Sequence, residues 1–132
     1  MTNASHAETN LLDIEDSAIK YGFSDQQEAR FPRKDLGMTT TGLSHLKIKP
    51  GKREAFAHRH GTAEEVLLVL SGRGRVKLDD ELVELAPLDV VRVSPGVTRA
   101  LEADGDGLEV VVFGPHVDGD VEMIQGFWEN EA

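Results

Sequence analysis

From about Gly42 onward, apolar residues fall in short alternating or continuous runs separated by Gly, Pro and Asp. The runs occupy 43–49, 56–60, 66–70, 74–78, 81–85, 90–93, 99–101 and 108–113. Turn formers stand between them at Pro50-Gly51, Ser71-Gly72, Asp79-Asp80, Ser94-Pro95-Gly96 and Asp104-Gly105-Asp106-Gly107. This spacing predicts an all-β chain, a sandwich or barrel, rather than strands alternating with helices. Residues 11–36 differ: Leu11, Leu12, Ile14 and Ile19 are mixed with turn formers. We read residues 1–36 as a flexible or loosely structured N-terminal arm with one short helical turn near 24–30, and residues 37–132 as one domain ending in a tail.

Residues two apart on a strand share a face, so the runs also assign sides. Phe56, His58 and His60 fall together, opposite Ala57 and Arg59; on the next strand Glu65, Leu67 and Val69 fall together. With Val91, Val93 and Leu101, this gives a mostly apolar interior. Val66, Leu68 and Leu70 form a second apolar row on the outer side, which calls for cover by a second subunit or by the N-terminal arm.

Composition narrows the function classes. At 132 residues the chain is about one domain, and without cysteine it has no disulfide and no thiolate ligand. A formal net charge of −10 makes a phosphate backbone an unfavourable partner, so nucleic acid is not expected. The start of the chain is polar, and no run approaches the roughly 20 apolar residues that cross a bilayer. The expectation is a cytoplasmic protein with no membrane association.

His58-Arg59-His60 is the segment with chemistry. On a strand, two histidines separated by one residue aim their imidazoles the same way, and a carboxylate from a neighbouring strand completes three corners of a coordination shell. Two nitrogens and one oxygen suit iron, manganese, zinc, nickel or copper, so the donor set alone does not choose the metal.

The segment Gly51 to Gly72 resembles the first motif of the cupin superfamily: a Gly, two histidines separated by one residue, a Glu, and a Gly separated from that Glu by six residues. Six residues rather than five separate Gly51 from His58. The motif's Glu falls on Glu65, leaving Glu64 facing outward. Leu88 to Ala103 resembles the second motif around Pro95-Gly96, with Leu88, Ser94 and Ala103 in place of its Gly, first Pro and Asn, and Arg99 in place of its histidine. The resemblance covers about residues 42–114, and the tail to Trp128 is similar to that of small single-domain bacterial cupins of unassigned activity. It implies an antiparallel jelly-roll β-barrel, commonly paired as a homodimer, with an incomplete metal site on His58, His60 and Glu65.

Arginine keeps its proton and offers only donors, so Arg99 cannot be a ligand. Two roles stay open. In one, a divalent transition metal sits on His58, His60 and Glu65, and Arg99 binds the acid group of a small anionic molecule. In the other, Arg99 pairs with Glu65, no metal binds, and the barrel is a non-catalytic ligand-binding or sensory module. The superfamily includes dioxygenases, isomerases, decarboxylases and sugar-binding proteins, so the resemblance specifies a fold and leaves the reaction open.

Other residues carry plainer expectations. His45 has opposite parity to Leu46 and Ile48 and reads as a surface or interface histidine. His116 reads as a late fourth ligand or an ordinary loop histidine. Lys47, Lys49, Lys52, Arg53 and Arg59 read as a solvated basic face, and Phe127 and Trp128 as packing residues of the tail.

Overall fold

The structure is a computed structural model and describes residues 5–129. The punctuated runs form an eight-stranded antiparallel sheet that curls on itself, the all-β jelly-roll barrel expected from the sequence. Its strands are β1 (Gln27–Arg30), β2 (Thr41–Ile48), β3 (Ala57–His60), β4 (Glu65–Leu78), β5 (Glu81–Leu85), β6 (Val90–Val93), β7 (Arg99–Pro115) and β8 (Val121–Ile124). Along one path the neighbours run β1-β2-β7-β3-β8, while β4 pairs with β5, β6 and β7. Two short helices, α1 (Ser17–Tyr21) and α2 (Arg33–Leu36), lie in the N-terminal segment.

Two turn signals turn out to lie inside continuous strands. Ser71-Gly72 sits within β4 and Asp104 to Gly107 within β7, and the β4–β7 register shifts at Val69/Ser71 and Gly72/Gly74. These bulges bend the two long strands without ending them. Close backbone approach explains the glycines: a Cβ on Gly72 would stand 2.1 Å from the Gly107 carbonyl oxygen, and one on Gly74 2.1 Å from that of Glu102.

The interior rows follow the alternation. Leu67, Val69, Val93 and Leu101 are buried with Leu46, Ile48, Val76 and Val110, and Val91 packs against them. Burying such a side chain stabilises by roughly 1.5–3 kcal/mol, whereas an exposed pair such as Arg59–Glu122 contributes under about 1 kcal/mol, so the apolar rows hold the barrel.

The arm departs from expectation. Gln27–Arg30 is not a helical turn: it is edge strand β1, paired with β2 from Gln27↔Ile48 to Arg30↔His45. Sheet pairing overrides the helix propensity of Gln-Glu-Ala-Arg. Asp16 Oδ1 fastens the arm by accepting both the Ala18 N–H that caps α1 and the Ala29 N–H of β1. Among the described residues, no helix is long and apolar enough to cross a membrane.

His45 is also corrected. It is buried, with Nε2 2.6 Å from Glu109 Oε2. Its parity is as assigned, but Arg30 stands beside it in register and reaches the Ile14 carbonyl, so the arm's first strand encloses that face.

Candidate functional site

β3 carries His58 and His60 on one side of the pleat, and β4 opens with Glu65 facing the same interior. The register His58↔Arg99 between β3 and β7 brings the arginine to the same place. His58 Nε2 lies 3.8 Å from Glu65 Oε1 and His60 Nε2 3.2 Å from Glu65 Oε2. One ligand atom from each of the three residues lies within 4.8 Å of the others, the one such cluster among the described residues. Glu64 stands outside and faces Arg92 at 3.5 Å.

Arg99 is buried. Its Nη2 donates to Glu65 Oε1 at 3.2 Å and its Nη1 to the Val97 carbonyl at 2.8 Å. Burial lowers the guanidinium's pKa, and Glu65, Glu54 and Asp79 draw it back up. Burial also pushes the Glu65 carboxyl up, but His58, His60 and Arg99 together outweigh it and hold Glu65 below the usual carboxylate range. His60 moves down, chiefly because burial disfavours the imidazolium. A carboxylate charged well below neutrality beside a neutral imidazole is the protonation state that metal coordination requires.

The triad lines a cavity of about 500 Å³. Its wall takes Gln27, Phe31 and Arg33 from the arm, Phe56 from the segment before β3, and His116 and Met123 from the C-terminal part. A smaller void of about 20 Å³ shares Glu54, His58 and Glu65 with it and adds Arg99 and Leu101. Arg99 therefore faces the smaller void, on the far side of Glu65 from His60 Nε2.

Sequence reasoning passed over two carboxylates. Glu54 accepts the Leu101 N–H at 3.1 Å, and burial pushes its carboxyl up to about 7, offset in part by His58, the Leu101 N–H and Arg99. Its signal was present: 54 continues the even-numbered row of Phe56, His58 and His60. Asp120 accepts from Thr62 N and Oγ1 through Oδ1 and from Ala63 N through Oδ2. That same Oδ2 lies 3.3 Å from His60 Nδ1, which turns Nε2 toward Glu65.

His116 lines the cavity but stands outside the triad, its Nε2 2.8 Å from Asp118 Oδ1. The tail packs as expected: Arg53 lies over the Trp128 ring at 4.5 Å and Lys77 over Phe127 at 4.4 Å.

The donor set fits a divalent transition metal. Two Nε2 atoms and a carboxylate converge, His60 has an acidic partner behind it, and Arg99 occupies the Glu65 oxygen farther from His60.

Known proteins share this fold. An uncharacterized protein of Methanocaldococcus jannaschii is 32% identical over 59 residues, 45% of this chain and 47% of that protein, so the match spans about half the length of that curated relative. A proposed sugar phosphate isomerase from Acidithiobacillus ferrooxidans is 27% identical, with a TM-score of 0.63 over 73% of this chain and 64% of its own. A cupin protein from Bacteroides fragilis, 20% identical, aligns over 100% of this chain and 97% of its own with a TM-score of 0.69, which shows the shared fold. Residues 44–114, more than half of the chain, match the family described as Cupin domain, and with the barrel just described the chain belongs to that family.

Proposed function

We propose that this chain is a small-molecule cupin whose barrel holds a divalent transition metal, iron, manganese, nickel or zinc, on His58, His60 and Glu65 and binds or transforms a small anionic molecule in the cavity beside it. The observation that carries this reading is the convergence of the three ligand atoms within 4.8 Å on the wall of the cavity of about 500 Å³. Such a volume suits a compact metabolite. A metal bound there would polarise an oxygen of the ligand as a Lewis acid. Asp120 stands behind His60 at 3.3 Å from Nδ1, and His58, His60 and Arg99 together keep Glu65 charged. Glu54 supplies a carboxyl that exchanges its proton near neutrality. The name of the Acidithiobacillus protein supports an anionic ligand class.

The same reading includes a homodimer in the cytoplasm. Its support is the outer face, where Val90 and Phe113 remain exposed beside Val66 and Leu68.

One contact favours a second reading. Arg99 Nη2 at 3.2 Å from Glu65 Oε1 is the pair that would close a non-catalytic ligand-binding or sensory barrel with no metal. Isothermal titration of the metal-stripped chain with iron, nickel and zinc separates the two. The metal reading expects binding at least tenfold tighter than in the His58→Ala, His60→Ala double variant; equal affinities sink it.

A further inference from the structure

Eight arginines punctuate this chain, and six of them are engaged with carboxylates: Arg30, Arg53, Arg59, Arg75, Arg92 and Arg99. Arg73 is exposed. Arg33 differs from both groups. It lines the same cavity as His58, His60 and Glu65, its Nε is buried with no acceptor, and among the described residues its guanidinium forms no ion pair.

The local fold holds Arg33 in place. It opens α2 directly after Pro32, which is fully buried, and the turn closes with the Leu36 N–H donating to the Pro32 carbonyl at 3.0 Å. Gly37, in the left-handed region, ends the helix one turn later. Arg33 is thus a half-buried cation on a fixed backbone whose buried Nε–H lacks an acceptor, at the wall of a cavity whose other nearby arm residues are Gln27 and Phe31. A guanidinium in that state has one natural complement: a planar or tetrahedral oxyanion taken by two parallel N–H donors. Arg99 is unsuited to this task, since Glu65 and the Val97 carbonyl already take its donors and it faces the smaller void.

We infer that Arg33, contributed by the N-terminal arm, is the residue that selects the ligand, binding the carboxylate or phosphate group of a small organic anion while the body of that anion lies toward His58, His60 and Glu65. The inference rests on the proposed reading of the cavity as a small-anion site and assigns its specificity to a segment outside the 44–114 family match. A ligand held this way has its acid group on Arg33 and its polar oxygens toward the triad, with Phe31 and Phe56 against its apolar parts.

The test is calorimetric titration of the full chain, treated with chelator, with inorganic phosphate and separately with malonate. The variants are Arg33→Gln, Arg33→Lys and, as a control on an exposed cation, Arg73→Gln. Saturable binding to the wild type is expected for at least one probe, weakened at least about tenfold in Arg33→Gln and about threefold or more in Arg33→Lys, and unchanged within about twofold in Arg73→Gln. The tighter probe identifies the headgroup: phosphate for a phosphoryl ligand, malonate for a carboxylate. Unchanged affinity in Arg33→Gln, or no saturable binding of either probe to the wild type, overturns the inference. Zinc uptake measured on the same samples keeps the two readings apart: Arg33→Gln is expected to bind zinc like the wild type, and a wild type that takes up no zinc overturns the metal centre while leaving the oxyanion result to stand on its own. Lysine retains the charge and much of the side chain's packing, so Arg33→Lys gives a result even if glutamine disturbs the arm.

Discussion

Arg99 Nη2 lies 3.2 Å from Glu65 Oε1, so a buried cation rests against the carboxylate that also faces both histidines. The charge of Arg99 opposes a metal on the triad at close range while holding Glu65 ionised. Replacing it by a residue that can coordinate reverses the first effect. Arg99→His is expected to tighten zinc binding at least about tenfold, because it removes the competing cation and adds an imidazole near the three ligands. Competition titration against a coloured zinc chelator checks this, and an affinity equal to the wild type's would show that Arg99 does not tune the site.

Glu54 makes stability depend on pH. Burial holds its carboxyl at about 7 in the fold, against an ordinary value of 4.5. A folded value above the unfolded one means that the fold binds the extra proton, so this contribution is fully present below about 4.5 and lost as the pH rises through about 7. Above that window the ionised carboxylate costs the fold on the order of 3 kcal/mol. Glu54→Gln keeps an acceptor for the Leu101 N–H and carries no charge. Its urea midpoint is expected to exceed the wild type's at about pH 8 and to converge with it near about pH 4. Parallel profiles for the two proteins would contradict the assignment.

Gly74 sits where β4 passes close to β7, with the Glu102 carbonyl oxygen 2.1 Å from the place a Cβ would take. The obstacle is backbone and cannot swing aside. Gly74→Ala is expected to cost about 2 kcal/mol or more, read as a lower midpoint in chemical denaturation, whereas Gly105→Ala, with nothing near its Cβ, is expected to stay within about 0.5 kcal/mol. Equal effects would mean that the β4–β7 approach is looser than described.

The outer face of β4, β6 and β7 gives a prediction about assembly. Val90 and Phe113 are exposed on strands that flank Val66 and Leu68. Val90→Asp combined with Phe113→Ser is expected to convert a dimer to a monomer in sedimentation equilibrium without changing zinc affinity. A wild type that sediments as a monomer would remove the dimer from the account.

Alternation carried the sequence reading furthest where both faces of a strand mattered. It grouped Glu65 with Leu67 and Val69 and put those two inside, because a period of two leaves no freedom once one face is buried, while the resemblance to the cupin motif chose Glu65 over Glu64. Elements fixed by distant partners were less legible. β1 is a strand because β2 offers it an edge, which no residue among Gln27 to Arg30 announces. Likewise Asp104 to Gly107 reads as a turn, yet these residues bulge out between the Gly72↔Leu108 and Gly74↔Ala103 pairs, and pairing with β4 on both sides keeps β7 one strand. His45 had the right parity and the wrong burial, since its cover comes from an arm whose docking the local pattern does not encode. In the site, His58, His60, Glu65 and Arg99 were all named from the sequence and lie together. Glu54 and Arg33 were missed, the first by stopping the even-numbered row at Phe56, the second because an arm read as loose offered no reason to look for a fixed cation.

The central claim is that His58, His60 and Glu65 form a metal centre. Plasma mass spectrometry of the full chain, purified without chelator or affinity tag, beside the His58→Ala, His60→Ala double variant, tests it most directly. Near-stoichiometric iron, manganese, nickel or zinc in the wild type, lost in the variant, is the predicted result; no metal in either protein would contradict it and leave the Arg99–Glu65 pair as the occupant of the site.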